Sequence, residues 1–167
     1  MGRTHTTVDS PIGPLTLVAD DEGRLCGLYM AEHRRQPDAT TFGPEDPSAF
    51  DAVRIQLDEY FDGRRRRFTV PVKPSGTVFQ VRVWNALSDI PFGERRTYGQ
   101  IAQELGGPSL ARAVGAANAL NPVSIVVPCH RVVGTDGRLV GYAGGEERKR
   151  FLLDHEARVA GVMDRLF

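Results

Sequence analysis

The sequence predicts a mixed α/β fold of the α+β kind. A small antiparallel sheet with one helix would occupy residues 1–75, and a mostly helical part residues 76–167. Three observations carry this. Short β-type runs open the chain between clusters of turn residues. Lys73-Pro74-Ser75-Gly76 interrupts the pattern as a boundary does. Beyond it, two capping boxes open helices, the second of which meets another helix across a glycine turn.

The opening runs are His5–Asp9, Leu15–Ala19 and Leu25–Met30. Ser10-Pro11-Ile12-Gly13-Pro14 and Asp20-Asp21-Glu22-Gly23 separate them, which makes an antiparallel meander. Residues 31–47 are polar and hold Pro37, Pro44 and Pro47, and they read as a loop. A helix follows, with Asp46 as its cap, Pro47 in its first turn and Gly63 at its end. Phe50, Val53, Leu57, Tyr60 and Phe61 share one face of it. Arg64–Arg67 suits a solvated helix C-terminus, where positive charge is favoured, and Phe68–Val72 reads as a short strand.

In the second part, Thr77 with Gln80 caps a helix striped by Val78, Phe79, Val83, Trp84 and Leu87, and Pro91 and Gly93 break it. Thr97 with Gln100 opens a helix to about Leu105. Gly106-Gly107-Pro108 turns the chain, and Ser109 caps a further helix to about Leu120. Two short helices on a glycine turn have the shape of a helix-turn-helix. The strand-like run Ile125–Val127 leads into Pro128-Cys129-His130-Arg131. Val132–Val140 reads as a hairpin about Asp136-Gly137. A last helix, Glu146–Arg158, should end before Gly161.

The chain has 167 residues, 41% hydrophobic and 25% charged, an ordinary globular composition with enough length for a real core. No apolar run approaches the roughly 20 residues of a membrane span. The first residues lack the apolar segment of a secretory signal, so the cytoplasm is the default compartment. Two distant cysteines, Cys26 and Cys129, do not make a disulfide framework. A net charge of zero argues against a protein that simply coats a polyanion. Residues 1–75 carry 10 basic against 12 acidic side chains and residues 76–167 carry 11 against 9, a slight bias of any nucleic-acid surface to the second part.

Cys129 is the first candidate for chemistry. The thiolate is the reactive form, and neighbouring imidazole or cationic groups favour it. His130 beside it can act as base, directly or through a water, and Glu156 on the last helix can orient that base. Read alone, Cys129 is as compatible with an inert core thiol as with a nucleophile. Likewise Arg112 alone reads as a solvated charge, Tyr98 as half-buried packing, and the small-residue helix around Arg112 as a site of close packing. Cys26 reads as inert packing, and His5, His33 and His155 have no ligand spacing.

Ile125-Val126-Val127-Pro128-Cys129-His130-Arg131-Val132-Val133-Gly134 resembles the signature of the O6-alkylguanine-DNA alkyltransferases, the methylated-DNA–protein-cysteine methyltransferases. Phe92-Gly93-Glu94 through Tyr98-Gly99-Gln100-Ile101-Ala102, Ala111-Arg112-Ala113-Val114-Gly115, Asn121-Pro122, Gly141-Tyr142 and Leu152-Leu153 with Glu156 follow in that family's order and spacing. The resemblance is strong over 76–158 and weaker in the first part, where Asp9-Ser10-Pro11-Ile12-Gly13-Pro14-Leu15 carries it.

The resemblance implies a winged-helix-like second domain and direct-reversal DNA repair. The alkyl group of O6-alkylguanine, and of O4-alkylthymine, passes irreversibly to Cys129, once per molecule, after minor-groove binding and nucleotide flipping. It implies a Glu156–His130–water–Cys129 relay, Tyr98 bonded to the leaving guanine, and Asn121 bracing the turn before the active-site strand. Arg112 would fill the gap left by the flipped base. Arg131, Val132, Tyr142, Ala143 and Gly144 would line the guanine pocket. Ala111, Ala113, Gly115 and Ala116 would join Arg112 against DNA. Many members carry a hydroxyl side chain or Arg where this chain has Ala143, so only the backbone N–H is left there to meet O6. No cofactor is implied, and the zinc-binding Cys and His set of some members is missing, so no metal is expected. The partner is double-stranded DNA, met by a monomer, with clustering on DNA left open. Two rival readings are a module that recognises alkylguanine without accepting the alkyl group, and a helix-turn-helix transcription regulator.

Overall fold

The computed structural model describes residues 2–32, 36–139 and 142–166. Three strands, β1 (Thr4–Val8), β2 (Leu15–Ala19) and β3 (Leu25–Met30), form an antiparallel sheet in sequence order. Thr6 pairs with Leu17 and Leu17 with Leu28, so one face carries Leu15, Leu17 and Leu28 into the core, and a bulge interrupts β2 between Val18 and Ala19. Helix α1 (Asp51–Phe61) follows a 3-10 turn over Pro47–Phe50. Asp46 precedes that turn without a side-chain cap bond. Arg64 and Arg65 pair with Asp62 and Glu59, and the Arg66 guanidinium lies over Phe92 at 5.4 Å.

The expected strand over Phe68–Val72 does not form. Its one sheet contact is the bridge from Val72 to Leu25, so the segment lies along the sheet as an irregular strip. Further along the same free edge of β3, the second part of the chain takes the place. Leu28 N–H donates to Pro122 O at 2.8 Å, and Ser124 N–H returns to Leu28 O. The first-part sheet therefore holds the turn that leads to Cys129.

Helix α2 (Val78–Ser88) and helix α3 (Tyr98–Leu105) each start on a complete capping box, Thr77 with Gln80 and Thr97 with Gln100. Each box satisfies two backbone donors that a helix start otherwise leaves open. Gly106 and Gly107, both at positive φ (152° and 150°), reverse the chain after α3. Helix α4 (Ala111–Ala119) follows a 3-10 turn over Pro108–Leu110, and Leu110 stands at its N-cap; Ser109, expected to cap it, lies inside that turn. Trp84 Nε1 donates to Ala117 O at 2.9 Å and pins α2 to α4.

Two-residue strands β4 (Arg96–Thr97) and β5 (Val132–Val133) pair in parallel. Asp136-Gly137 makes a tight turn, closed by Gly134 N–H on Arg138 O, but among the described residues no second strand follows to complete the expected hairpin, because β5 pairs with β4 instead; Val140 lies outside the described residues, as do His33 and Gly141. Helix α5 (Glu146–Leu166) runs through Gly161, where it was expected to stop short. One glycine in a well-anchored helix costs only about 1 kcal/mol and does not end it.

Leucines 15, 17, 25 and 28 from the sheet, Leu57 and Tyr60 from α1, and Trp84, Ile101, Val114, Val132 and Leu152 from the second part share one core. No helix among the described residues is long and apolar enough to cross a membrane.

Candidate active site

The run Ile125–Val127 is a folded turn, not the expected strand. Val127 N–H bonds to Val123 O, and Ile125 adopts φ 72°, rare for a β-branched residue. Asn121 holds this turn from inside: its Nδ2 donates to Val127 O at 2.9 Å and its Oδ1 accepts Val123 N–H. Cys129 opens a 3-10 turn, Cys129–Arg131, immediately after it. The Cys129 side chain is buried, with 3% of the residue exposed. Asn118 Nδ2 reaches the Cys129 carbonyl at 3.4 Å.

His130 and Glu156 are buried beside it, and His130 Nε2 meets Glu156 Oε2 at 2.7 Å. A carboxylate partner places the proton on Nε2, which leaves a lone pair on Nδ1. That nitrogen has no hydrogen-bond partner among the described residues. Glu156 is heavily subscribed. Oε1 accepts Arg131 Nε at 2.8 Å and Gly93 N–H at 3.2 Å; Oε2 also accepts Arg131 Nη2 at 3.0 Å and the Tyr60 hydroxyl at 2.7 Å. Arg131, expected to touch substrate, has other partners. It forks onto Glu156, donates to Ile90 O at 2.7 Å, and lies over the Phe92 ring.

The electrostatics follow from burial and from one permanent charge. Burial works to raise the Glu156 carboxyl, but His130 and the Arg131 guanidinium together hold it well below the usual carboxylate range. With that guanidinium forked onto it, Glu156 is ionised at rest. Burial pushes His130 down against the pull of Glu156, leaving a neutral imidazole. Burial also raises the Cys129 thiol, opposed by the Asn121 and Ser124 side chains and by Lys149. The resting sulfur is thus a thiol beside a neutral base.

Tyr98, the first residue of α3, is half-buried near this sulfur; burial and Cys129 push it up to about 12, so it stays a hydroxyl donor. Gly115 of α4 faces its ring, where an added Cβ would come within 3.9 Å. Tyr142 is buried with its hydroxyl on Met30 Sδ at 3.9 Å, and Val132 is buried. Gly144 fits because it lacks a side chain: a Cβ there would stand 2.4 Å from Met30 Sδ and 2.8 Å from the Tyr142 ring. Ala143 is partly exposed. Arg148 ties this loop to the first part of the chain through Ile12 O and Ala31 O.

On α4, Arg112, Ala113 and Ala116 face outward, Ala111 and Gly115 are partly covered, and Val114, Ala117 and Asn118 point into the core. Arg112 takes no partner among the described residues. Cys129, His130, Glu156, Asn121, Tyr98 and Tyr142 are thus brought together, and Arg112 stands apart on the outer face of α4.

Sequence reasoning missed Lys149. It is wholly buried, 0% exposed, with Nζ 5.9 Å from the Tyr98 ring centre and 5.8 Å from that of Tyr142. Burial pushes it down to about 8, opposed by Cys129. The signal was present: Lys149, Leu152, Leu153 and Glu156 follow the spacing of a buried helix face. Tyr60, Asn118 and Ser124 were also missed as site residues.

Two family models match the chain. One, described as the ribonuclease-like domain of 6-O-methylguanine DNA methyltransferase, covers residues 4–74; the other, the DNA binding domain of the same family, covers residues 78–158. A methylated-DNA–protein-cysteine methyltransferase of Mycobacterium bovis is 51% identical over 152 residues, 91% of each chain. One from Methanosarcina acetivorans is 47% identical over 91% of this chain and 97% of its own. Among solved structures, Mycobacterium tuberculosis OGT in complex with DNA matches with a TM-score of 0.88 at 50% identity, over 93% of this chain and 94% of that one.

Proposed function

The chain belongs to the 6-O-methylguanine DNA methyltransferase family, and from that premise we propose that Cys129 is the sulfur that takes the alkyl group. The activity is repair of alkylated DNA by alkyl transfer to a cysteine. The observation that carries the assignment is the buried dyad: His130 bound to Glu156 through Nε2, with Nδ1 left to receive a proton.

His130 Nδ1 takes the Cys129 proton, directly or through a water, and Glu156 stabilises the resulting imidazolium. The thiolate attacks the alkyl carbon on O6. A C–S bond forms, the C–O6 bond breaks, and its electron pair leaves with guanine. The Tyr98 hydroxyl hydrogen-bonds the departing base and stabilises the charge developing on it. Ala143 offers O6 its backbone N–H, and the Val132 backbone, Tyr142 and Gly144 wall the pocket. The thioether has no good leaving group, so each molecule acts once, and O4-alkylthymine meets the same sulfur.

O6 is out of reach inside the duplex, so the nucleotide must be extruded. The outward face of α4 enters the minor groove, where Ala113 and Ala116 keep the helix low and Ala111 and Gly115 flank them. Arg112 fills the vacated stack. The degenerate base code of the minor groove suits repair at any sequence. Residues 76–167 carry the chemistry and the DNA contact as one domain, and residues 1–75 form the domain that braces them. The transfer as written calls on no cofactor, and a reduced thiol fits the cytoplasm.

The test is intact mass after mixing with duplex DNA containing O6-methylguanine. The protein gains one methyl group and peptide mapping places it on Cys129. Tight binding without mass gain would instead support a recognition module, and sequence-specific binding a regulator. Arg112→Ala should leave association with undamaged duplex within about threefold and lower the transfer rate about tenfold, a loss of roughly 1.4 kcal/mol at the flipped state. Equal losses in single-turnover rate and in binding would make Arg112 a phosphate contact.

A further inference from the structure

Glu156 Oε2, the oxygen that holds His130, also accepts a donor from the other part of the chain. Tyr60 lies on α1 and is fully buried, and its hydroxyl donates to that oxygen at 2.7 Å. Its ring is fixed by edge contacts with Phe61 at 5.1 Å, Phe92 at 6.0 Å and His155 at 5.1 Å between centroids. Its carbonyl is held by His155 Nε2 at 2.8 Å. Packing of this kind is satisfied by a phenylalanine, so the hydroxyl answers to Glu156 alone.

We propose that Tyr60 is a positioning residue for the transfer: by donating to Glu156 Oε2, it sets how strongly that oxygen draws the His130 proton. The first part of the chain thereby tunes the base that ionises Cys129. This rests on reading His130 as that base. The hydroxyl suits the task because burial and Glu156 hold its ionisation well above the ordinary tyrosine value, so it is a neutral donor at every working pH. Arg131 supplies charge to the carboxylate, whereas Tyr60 supplies only a hydrogen bond, aimed at one oxygen. The other ionisable groups facing His130 are Glu156 and Lys149 from α5 and Arg131 from its own turn. Those facing Glu156 are His130, Arg131 and, by its field, Tyr142, joined by Tyr60 from α1. Neither Lys149 nor Arg131 is altered by a change at Tyr60 that keeps the ring.

The experiment has two substitutions and two readouts. In Tyr60→Phe the carboxylate loses a donor and becomes more basic, so the His130 titration midpoint, read by NMR of the labelled ring without DNA, rises by about one unit. The acid limb of the single-turnover rate moves up with it, while the half-saturating DNA concentration stays. Replacing Tyr60 with 3,5-difluorotyrosine keeps the hydroxyl and strengthens it as a donor, so midpoint and acid limb move down. Opposite shifts support the proposal. If both substitutions leave the midpoint and acid limb in place, whatever happens to Tm, Tyr60 is packing alone and the proposal is overturned. A wild-type protein that gains no methyl mass overturns the reading of Cys129 instead, and the NMR midpoints still decide Tyr60.

Discussion

Replacing Cys129 with Ser is expected to abolish methyl transfer, by more than about 10⁴-fold, the scale on which removing a nucleophile acts. Oxygen is a weaker nucleophile than sulfur towards an alkyl carbon, and a hydroxyl gives up its proton far less readily than a thiol. The fold should persist, because Asn121 and Ser124, which bond the sulfur, can bond a hydroxyl in its place. The cost to stability is then about 1 kcal/mol. Binding to duplexes containing O6-methylguanine should survive, since the flipped base meets the same pocket. Intact mass reads the first expectation and a binding isotherm the second. A Cys129→Ser protein that still demethylates DNA would move the acceptor elsewhere.

Removing Glu156 should be the most damaging change to stability. Glu156→Ala leaves the Arg131 guanidinium buried without its counter-charge and strips partners from Tyr60, His130 and the Gly93 N–H. Breaking a buried pair from one side costs about 3–5 kcal/mol, which for a chain of this length lowers Tm by about 6–20 °C. The gentler Glu156→Gln keeps the shape and shows the pH dependence. Glu156 has its folded pKa depressed, so its contribution is fully present above the unfolded carboxylate value near about 4.3 and is lost as pH falls towards the folded value. The stability gap between wild type and Glu156→Gln, measured by urea unfolding, should be constant from pH 7 to about 5 and shrink below about 4. A gap that stays constant down to pH 3 would mean Glu156 is not ionised by its neighbours.

Features set by local chemistry were legible in the sequence. The three strands stand almost where alternation and turn residues put them, and both capping boxes form, because each is decided within four residues. The elements that went astray are decided by distant partners. Phe68–Val72 has the apolar content of a strand, but the edge of β3 goes to residues 122–124, which leaves it a single bridge. Ile125–Val127 likewise reads as a strand, yet Asn121 bonds across it and folds it into a turn. At the site, Cys129 and His130 are neighbours in sequence and Glu156 follows from the resemblance. Tyr60 stands 96 residues from Glu156 and was legible only as one more aromatic on the apolar face of α1. The resemblance placed Arg131 at the substrate. Its guanidinium is instead committed to the Glu156 carboxylate and to Ile90 O, partners far away in sequence.

The depth of Cys129 bears on how readily oxidants reach its sulfur. A sulfur that is 3% exposed and held as S–H offers little thiolate to peroxides or to stray electrophiles. The ladder from sulfenic to sulfonic acid begins at accessible thiolates, and this residue stands off its first rung. Oxidants will find the half-exposed Cys26 sooner. Burial thus shields the sulfur that we propose as the acceptor from the oxidants that reach Cys26.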